Sequence, residues 1–248
     1  MTEQTPLIDH LTELRNRLLR MVAAVLLAFI AIAPFARHLF TMLAEPLARH
    51  LPAESSLIAT QVASPFLTPF KMALVAAIFL AIPYLLYQVW AFIAPGLYQR
   101  EKRLVFPLMV ASSLLFYLGA GFAWLVVFPL VFGFFVAVAP EGVAVMTDIH
   151  HYLNFVLSLF IAFGLAFQVP VATVLIVRAG MTTPAALKKK RPYVLVGVFV
   201  IGMLLTPPDV ISQTLLALPV YALFELGLVM AYWLVPGIRE VEAQRGER

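Results

Sequence analysis

The chain has 248 residues, of which 62% are hydrophobic and only 12% charged, with a mean hydropathy of +0.96. A water-soluble domain is about 45–50% apolar and about 25% charged, so an ordinary soluble fold is excluded; no alternating barrel pattern runs along the chain, which leaves an all-α polytopic membrane protein. The formal charge of +4 follows loop positions rather than one patch, so no nucleic-acid partner is expected, and the absence of Cys removes disulfides, thiolate catalysis and Cys-ligated metals.

Six crossings are predicted, over residues 18–35, 72–94, 104–138, 152–177, 193–206 and 210–232. The first apolar run starts at Met21 after acidic Glu3, Asp9 and Glu13 and lacks a cleavage site, so it reads as a retained span rather than a removed signal peptide. Residues 38–70 carry Pro46, Pro52, Pro65 and Pro69 and are too poor in apolar length to cross. They are expected to form an extracytoplasmic cap, with Leu39, Phe40, Leu43 and Leu47 spaced for one helix face at the surface. The second span is uncharged over about 35 Å of helix.

The third lies in a charge-free stretch from Leu104 to Pro140. Two crossings would need about 40 residues plus a turn and would invert everything downstream. One long crossing, bent at Pro129, is expected instead. The fourth span follows Asp148. The fifth is short, because Pro192 suits a helix start and Pro207-Pro208 a stop. It offers about 21 Å of helix against a hydrocarbon core of about 30 Å. The sixth is interrupted by Glu225, so the last pair reads as a short hairpin that thins the bilayer locally. Residues 1–235 are taken as one membrane domain and 236–248 as a mobile cytoplasmic tail. No internal or inverted repeat is evident.

Fourteen of the seventeen Lys and Arg residues fall before the first apolar run at Met21, between the second and third spans, between the fourth and fifth, and after the sixth. The opposite connections hold only Arg37, Arg49 and Lys71. Short cation-rich loops stay cytoplasmic, so both termini are expected in the cytoplasm. No transit-peptide pattern precedes the first run, which points to the cytoplasmic membrane of a prokaryote.

Motifs for chemistry are few. No nucleotide-binding G-x-x-x-x-G-K-[ST] and no H-E-x-x-H occurs, and adjacent His150 and His151 point to different helix faces, so no metal is expected. No signal singles out Ser112, Ser113 or Ser158 as a nucleophile. The informative polar groups are carboxylates near one membrane boundary. Glu13 lies in HLTELRNR before the first span, and Glu101 in YQREKR after the second. Either they compensate neighbouring cations, as Glu13 does four residues before Arg17, or they accept guanidinium groups from a partner through paired charge-assisted bonds. Gln168, two residues before Pro170, either satisfies local backbone or meets a docked helix. Glu225 reads as an interfacial carboxylate. Thr206 and Gln213 either cap helix ends or form a polar patch.

Several segments in order resemble the TatC family, the multispanning subunit of the twin-arginine protein translocase: HLTELRNRL (10–18), SPFLTPFK (64–71), YQVWAFIAPGLYQREKR (87–103), VFPLVFGFF (127–135), KKRPYVLVGVFVIGMLLTPPD (189–209) and SQTLLALPVYALFELG (212–227). The likeness runs from about residue 7 to 232. It implies a curved bundle of six helices that binds signal peptides bearing an Arg-Arg pair at its cytoplasmic face. It also implies assembly with TatA-type and TatB-type single-span proteins and with further copies of itself, so that folded cargo crosses on the proton gradient. By the same resemblance, Glu13 and Glu101 face the paired arginines, with Phe92, Leu97, Arg15 and Arg17 in the same region. Pro46 and Asp209 match functional positions in the outer loops, and Met203, Thr206 and Gln213 match a surface for partner helices. At 168 an acid is expected and an amide stands, and Asn16 replaces an often basic residue. A receptor without catalysis or cofactor is therefore expected; an intramembrane hydrolase and a proton-coupled small-solute transporter are the alternatives.

Overall fold

The computed structural model describes residues 5–42, 58–97, 105–138, 148–205, 210–235 and 238. Among them the structure is all-helical apart from one isolated parallel bridge between Ile58 and Asp148. The helices are α1 (Thr5–Ile32), α2 (36–42), α3 (Ser64–Leu97), α4 (Val105–Phe122), α5 (Phe128–Val138), α6 (Ile149–Ala166), α7 (Val169–Arg178), α8 (Pro184–Lys189), α9 (Arg191–Leu205) and α10 (Val210–Leu234). Among the described residues, five stretches are long and apolar enough to cross a membrane, and Arg191–Leu204 is a shorter apolar helix. Pro46, Glu101, Thr206 and Asp209 lie outside the described residues, as do the side chain of Leu97 and most of the 236–248 segment.

Proline chemistry explains where the helices differ from expectation. α3 begins at Ser64, inside the segment expected to cap the bundle. Pro65 is then its second residue, a position whose N–H has no helical acceptor, so a proline there starts a helix rather than breaking it. Pro34 sits in a tight 3₁₀ turn, Ala33–Phe35, between α1 and α2. The stretch 105–138 stays helical throughout, and relief for Pro129 comes just before it. Residues Ala123–Val127 form a π turn whose closing bond runs from the Phe128 N–H to the Ala123 carbonyl. One extra residue in that turn accommodates a ring that cannot donate and that crowds the preceding carbonyls.

The chain forms two compact units, residues 1–113 with 142–157, and residues 114–141 with 158–248. In the first, α1 packs against α3 in antiparallel sense, since His10 meets Phe92 and Arg17 meets Gln88. Ala73, Ala77 and Ala81 give α3 a buried small-residue row, and Trp90 Nε1 donates to Ser112 Oγ at 2.9 Å. Small side chains let helices approach where lipid supplies no hydrophobic drive. Asp148 caps α6, accepting from the backbone N–H groups of His150 and His151, and also takes the Thr60 N–H at 2.9 Å and the Thr60 hydroxyl at 2.6 Å. That ties residues 58–60 to the start of α6.

In the second unit, α7 and α10 pack closely: a Cβ at Gly227 would lie 3.0 Å from Pro170 Cα and from Thr173 Oγ1. Gly180 takes a φ of +72° and ends the α7 segment; Thr183 then caps α8, accepting from Ala186 N–H. α9 has 15 residues, about 22 Å of helix, short of a core of about 30 Å. Arg191 on α9 and Glu225 on α10 form an ion pair, so the carboxylate read as interfacial has a cationic partner. Ile238, from the segment expected to be mobile, is buried against Val177 and Ala231.

Candidate functional site

The first unit gathers polar side chains where the start of α1 meets the end of α3. The spacing of His10, Glu13 and Arg17 puts them along one face of α1, and Tyr84, Gln88 and Phe92 recur every four residues along one face of α3. His10 and Phe92 stack with ring centroids 4.4 Å apart and planes 20° from parallel. Arg17 donates to Glu13 Oε1 through Nε at 2.9 Å and Nη2 at 2.6 Å. Its third contact crosses to α3, from Nη1 to Gln88 Oε1 at 3.1 Å, and Gln88 Nε2 donates on to the Tyr84 hydroxyl at 2.8 Å. Charge-assisted bonds of this length are the stronger class.

Burial is graded across the chain of contacts. Gln88 is 3% exposed, the Arg17 side chain 17% and the Glu13 side chain 39%. Tyr84, at the far end, is 40% exposed, so both ends of the chain of contacts are accessible and the carboxylate is the charged one. Both Arg17 bonds fall on Oε1, and Oε2 accepts no hydrogen bond among the described residues. The carboxylate, although paired with Arg17, can accept a further N–H donor.

The other expected residues fall as follows. Phe92 is half-buried beside His10, while exposed Arg15 turns to Asn16 Oδ1 at 3.3 Å and does not reach Glu13. Leu97 is the last residue of α3. Gln168 lies in the break between α6 and α7: its N–H bonds to Leu165 O and its carbonyl accepts from Ala172 N–H, both at 2.9 Å. Met203 is exposed on α9, and Gln213 lies on α10 where Gly202 faces its backbone carbonyl.

Gln88, Tyr84 and His10 were not anticipated as site residues. The available signal was a Gln in the otherwise apolar second span, four residues from both Tyr84 and Phe92. Asp148 was likewise read only as a loop acid. Its carboxyl is held well below the usual carboxylate range, first by the Thr60 hydroxyl, then by the N–H groups of Thr60, His151 and His150.

The family model described as Sec-independent protein translocase protein (TatC) matches residues 9–219. The protein of that name from Azotobacter chroococcum is 60% identical over 226 residues, covering 91% of this chain and 89% of that protein. The one from Escherichia coli is 57% identical over 230 residues, covering 93% and 89%. A crystal structure described as the twin arginine translocase receptor TatC superposes with a TM-score of 0.83 at 37% identity, covering 90% of this chain and 98% of that one.

Proposed function

This chain belongs to the TatC family, and from that premise we propose that the exposed Glu13 carboxylate receives an arginine of an Arg-Arg signal peptide at the cytoplasmic face. It is a multi-pass protein of the bacterial inner membrane and a subunit of the twin-arginine translocase, a transport component rather than a catalyst, and works with other Tat subunits. The observation that carries the signal-binding reading is that Glu13, its side chain 39% exposed, already accepts two N–H groups of a guanidinium on one oxygen and, among the described residues, none on the other. The remaining oxygen can accept from a second guanidinium, a donor that stays charged at any working pH.

In this reading Glu101 supplies the second acid, since α3 brings the chain back to the end where Glu13 lies and stops at Leu97, four residues short of it. Phe92 and Leu97 give the peptide apolar contacts beside the acids, and Arg15 and Arg17 shape the local field. Both termini are cytoplasmic, six crossings follow, and the rim faces incoming folded cargo. Met203, Thr206 and Gln213 form the contact surface for TatA-type and TatB-type helices, supported by the exposure of Met203 on a helix too short to be covered by a full bilayer. Gln168 contributes a hydrogen-bonding amide at depth, and Pro46 and Asp209 act from the outer loops.

Photo-crosslinking of an Arg-Arg signal peptide to membranes containing the protein tests the assignment. Glu13→Ala combined with Glu101→Ala should abolish most of the crosslink while the protein accumulates normally; an undiminished crosslink would remove the acids from the site. Because the chain has no Cys, single Cys substitutions at 13 and 101 can be labelled with an impermeant maleimide. Labelling on opposite faces of the membrane would end the proposal.

A further inference from the structure

We propose that Gln88, backed by Tyr84, is a positioning residue that keeps one oxygen of Glu13 open by fixing the orientation of Arg17; this rests on the reading that Glu13 receives a signal-peptide arginine. Gln88 is an amide buried to 3% exposure in an apolar span, where an unsatisfied polar group is costly. Its orientation is forced. Arg17 can only donate, so the Gln88 carbonyl oxygen must face it and the amide nitrogen must turn to the Tyr84 hydroxyl.

The consequence is felt at Glu13. With Nη1 held on Gln88, the guanidinium presents the edge formed by Nε and Nη2, and both land on Oε1. Left unheld, a guanidinium beside a carboxylate settles into the two-oxygen fork, which would occupy Oε1 and Oε2 together. Gln88 thus holds the internal arginine off the second oxygen. An incoming guanidinium meets a carboxylate that is oriented in advance and that has, among the described residues, a vacant acceptor, and pre-orientation lowers the ordering cost of binding.

The test is binding of a synthetic Arg-Arg signal peptide, carrying a photo-crosslinker, to the full-length protein in membrane vesicles. Gln88→Met keeps the volume and removes the acceptor, letting Arg17 take Oε2; the ligand then loses one bond to a charged oxygen, and binding should weaken about tenfold. Gln88→Glu restores an acceptor for Nη1 and should recover most of the binding. In a Glu13→Gln background, Gln88→Met should make no further difference. Undiminished binding in Gln88→Met, no recovery in Gln88→Glu, or an equal loss in both backgrounds would overturn the positioning role. Undiminished binding in Glu13→Gln alone would instead remove the reading of Glu13 itself, and the positioning role with it.

Discussion

Two glycines two residues apart in α4 predict opposite responses to the same substitution. A methyl group at Gly119 would lie within 2.9 Å of the Phe163 carbonyl carbon and of Phe167 Cδ2, and closer still to the Phe163 oxygen. The obstruction is backbone, so it cannot swing aside; α4 and α6 must separate locally. A gap of ~0.5–1 Å forfeits a quarter to a half of each dispersion contact it opens. Phe163, only 2% exposed, lies at the point of contact. Overpacking of this kind costs ~1–3 kcal/mol, and the upper end applies where backbone is struck. The gain of replacing a helical glycine offsets ~1 kcal/mol, leaving a net loss of ~2 kcal/mol. At Gly121 nothing lies within 4 Å of the added carbon, so only the gain remains. At ~2–4 °C per kcal/mol, Gly119→Ala should lower the midpoint by ~4–8 °C and Gly121→Ala raise it by ~2–4 °C. Thermal unfolding in detergent micelles, followed by the fluorescence of the three Trp residues, reads both. Equal midpoints for the two variants, or a Gly119→Ala protein at least as stable as the parent, would refute the helix contact.

Asp148→Ala should free residues 58–60 from α6, seen as faster amide exchange at Thr60, His150 and His151, whose N–H groups it accepts. Because the folded carboxyl titrates below its ordinary value of 3.8, its contribution is complete above that value and fades only as pH falls below it. Exchange at Thr60, corrected for intrinsic rate, should therefore stay flat from neutral down to about pH 5; a rise within that range would contradict the assignment. Arg191→Ala strands the Glu225 carboxylate within the short α9–α10 hairpin, so the single variant should accumulate less and melt lower than Arg191→Ala with Glu225→Gln. A double variant no better than the single would show that the pair does not hold the hairpin.

Apolar runs and prolines made the helices legible, because helix length in lipid is set by hydropathy alone. What they left ambiguous was the sense of each proline. Pro65 reads as a breaker in a list and as a helix starter once Ser64 follows a turn at Gln61, whose carbonyl accepts the Ser64 N–H. Pro129 marked a bend, but the π turn at 123–127 that absorbs it leaves no trace in composition. Glu13 was legible as a candidate acid because a carboxylate stands out beside an apolar run. Gln88 was not, since one amide in an apolar span gives no clue to its partner 71 residues earlier. The antiparallel pairing of α1 with α3 creates that contact, and only register, which hydropathy does not encode, decides that Arg17 meets Gln88.

That register also bears on how tightly the proposed site can hold its ligand. A free rim carboxylate would offer an arginine both oxygens, and the fork so formed is among the stronger polar contacts available. Here one oxygen already serves Arg17, so a visiting guanidinium competes for the remainder against a fixed positive neighbour. Each term lowers affinity, while the pre-set geometry restores part of it by sparing Glu13 the entropy of being ordered. The balance is an acid that selects for a cation yet releases it, with exposure enough for salt to screen the attraction. If the proposed site receives a signal peptide, this is the useful compromise: the peptide must later leave, and an acceptor half-spent on its own chain sets an upper limit on how strongly one contact can retain it.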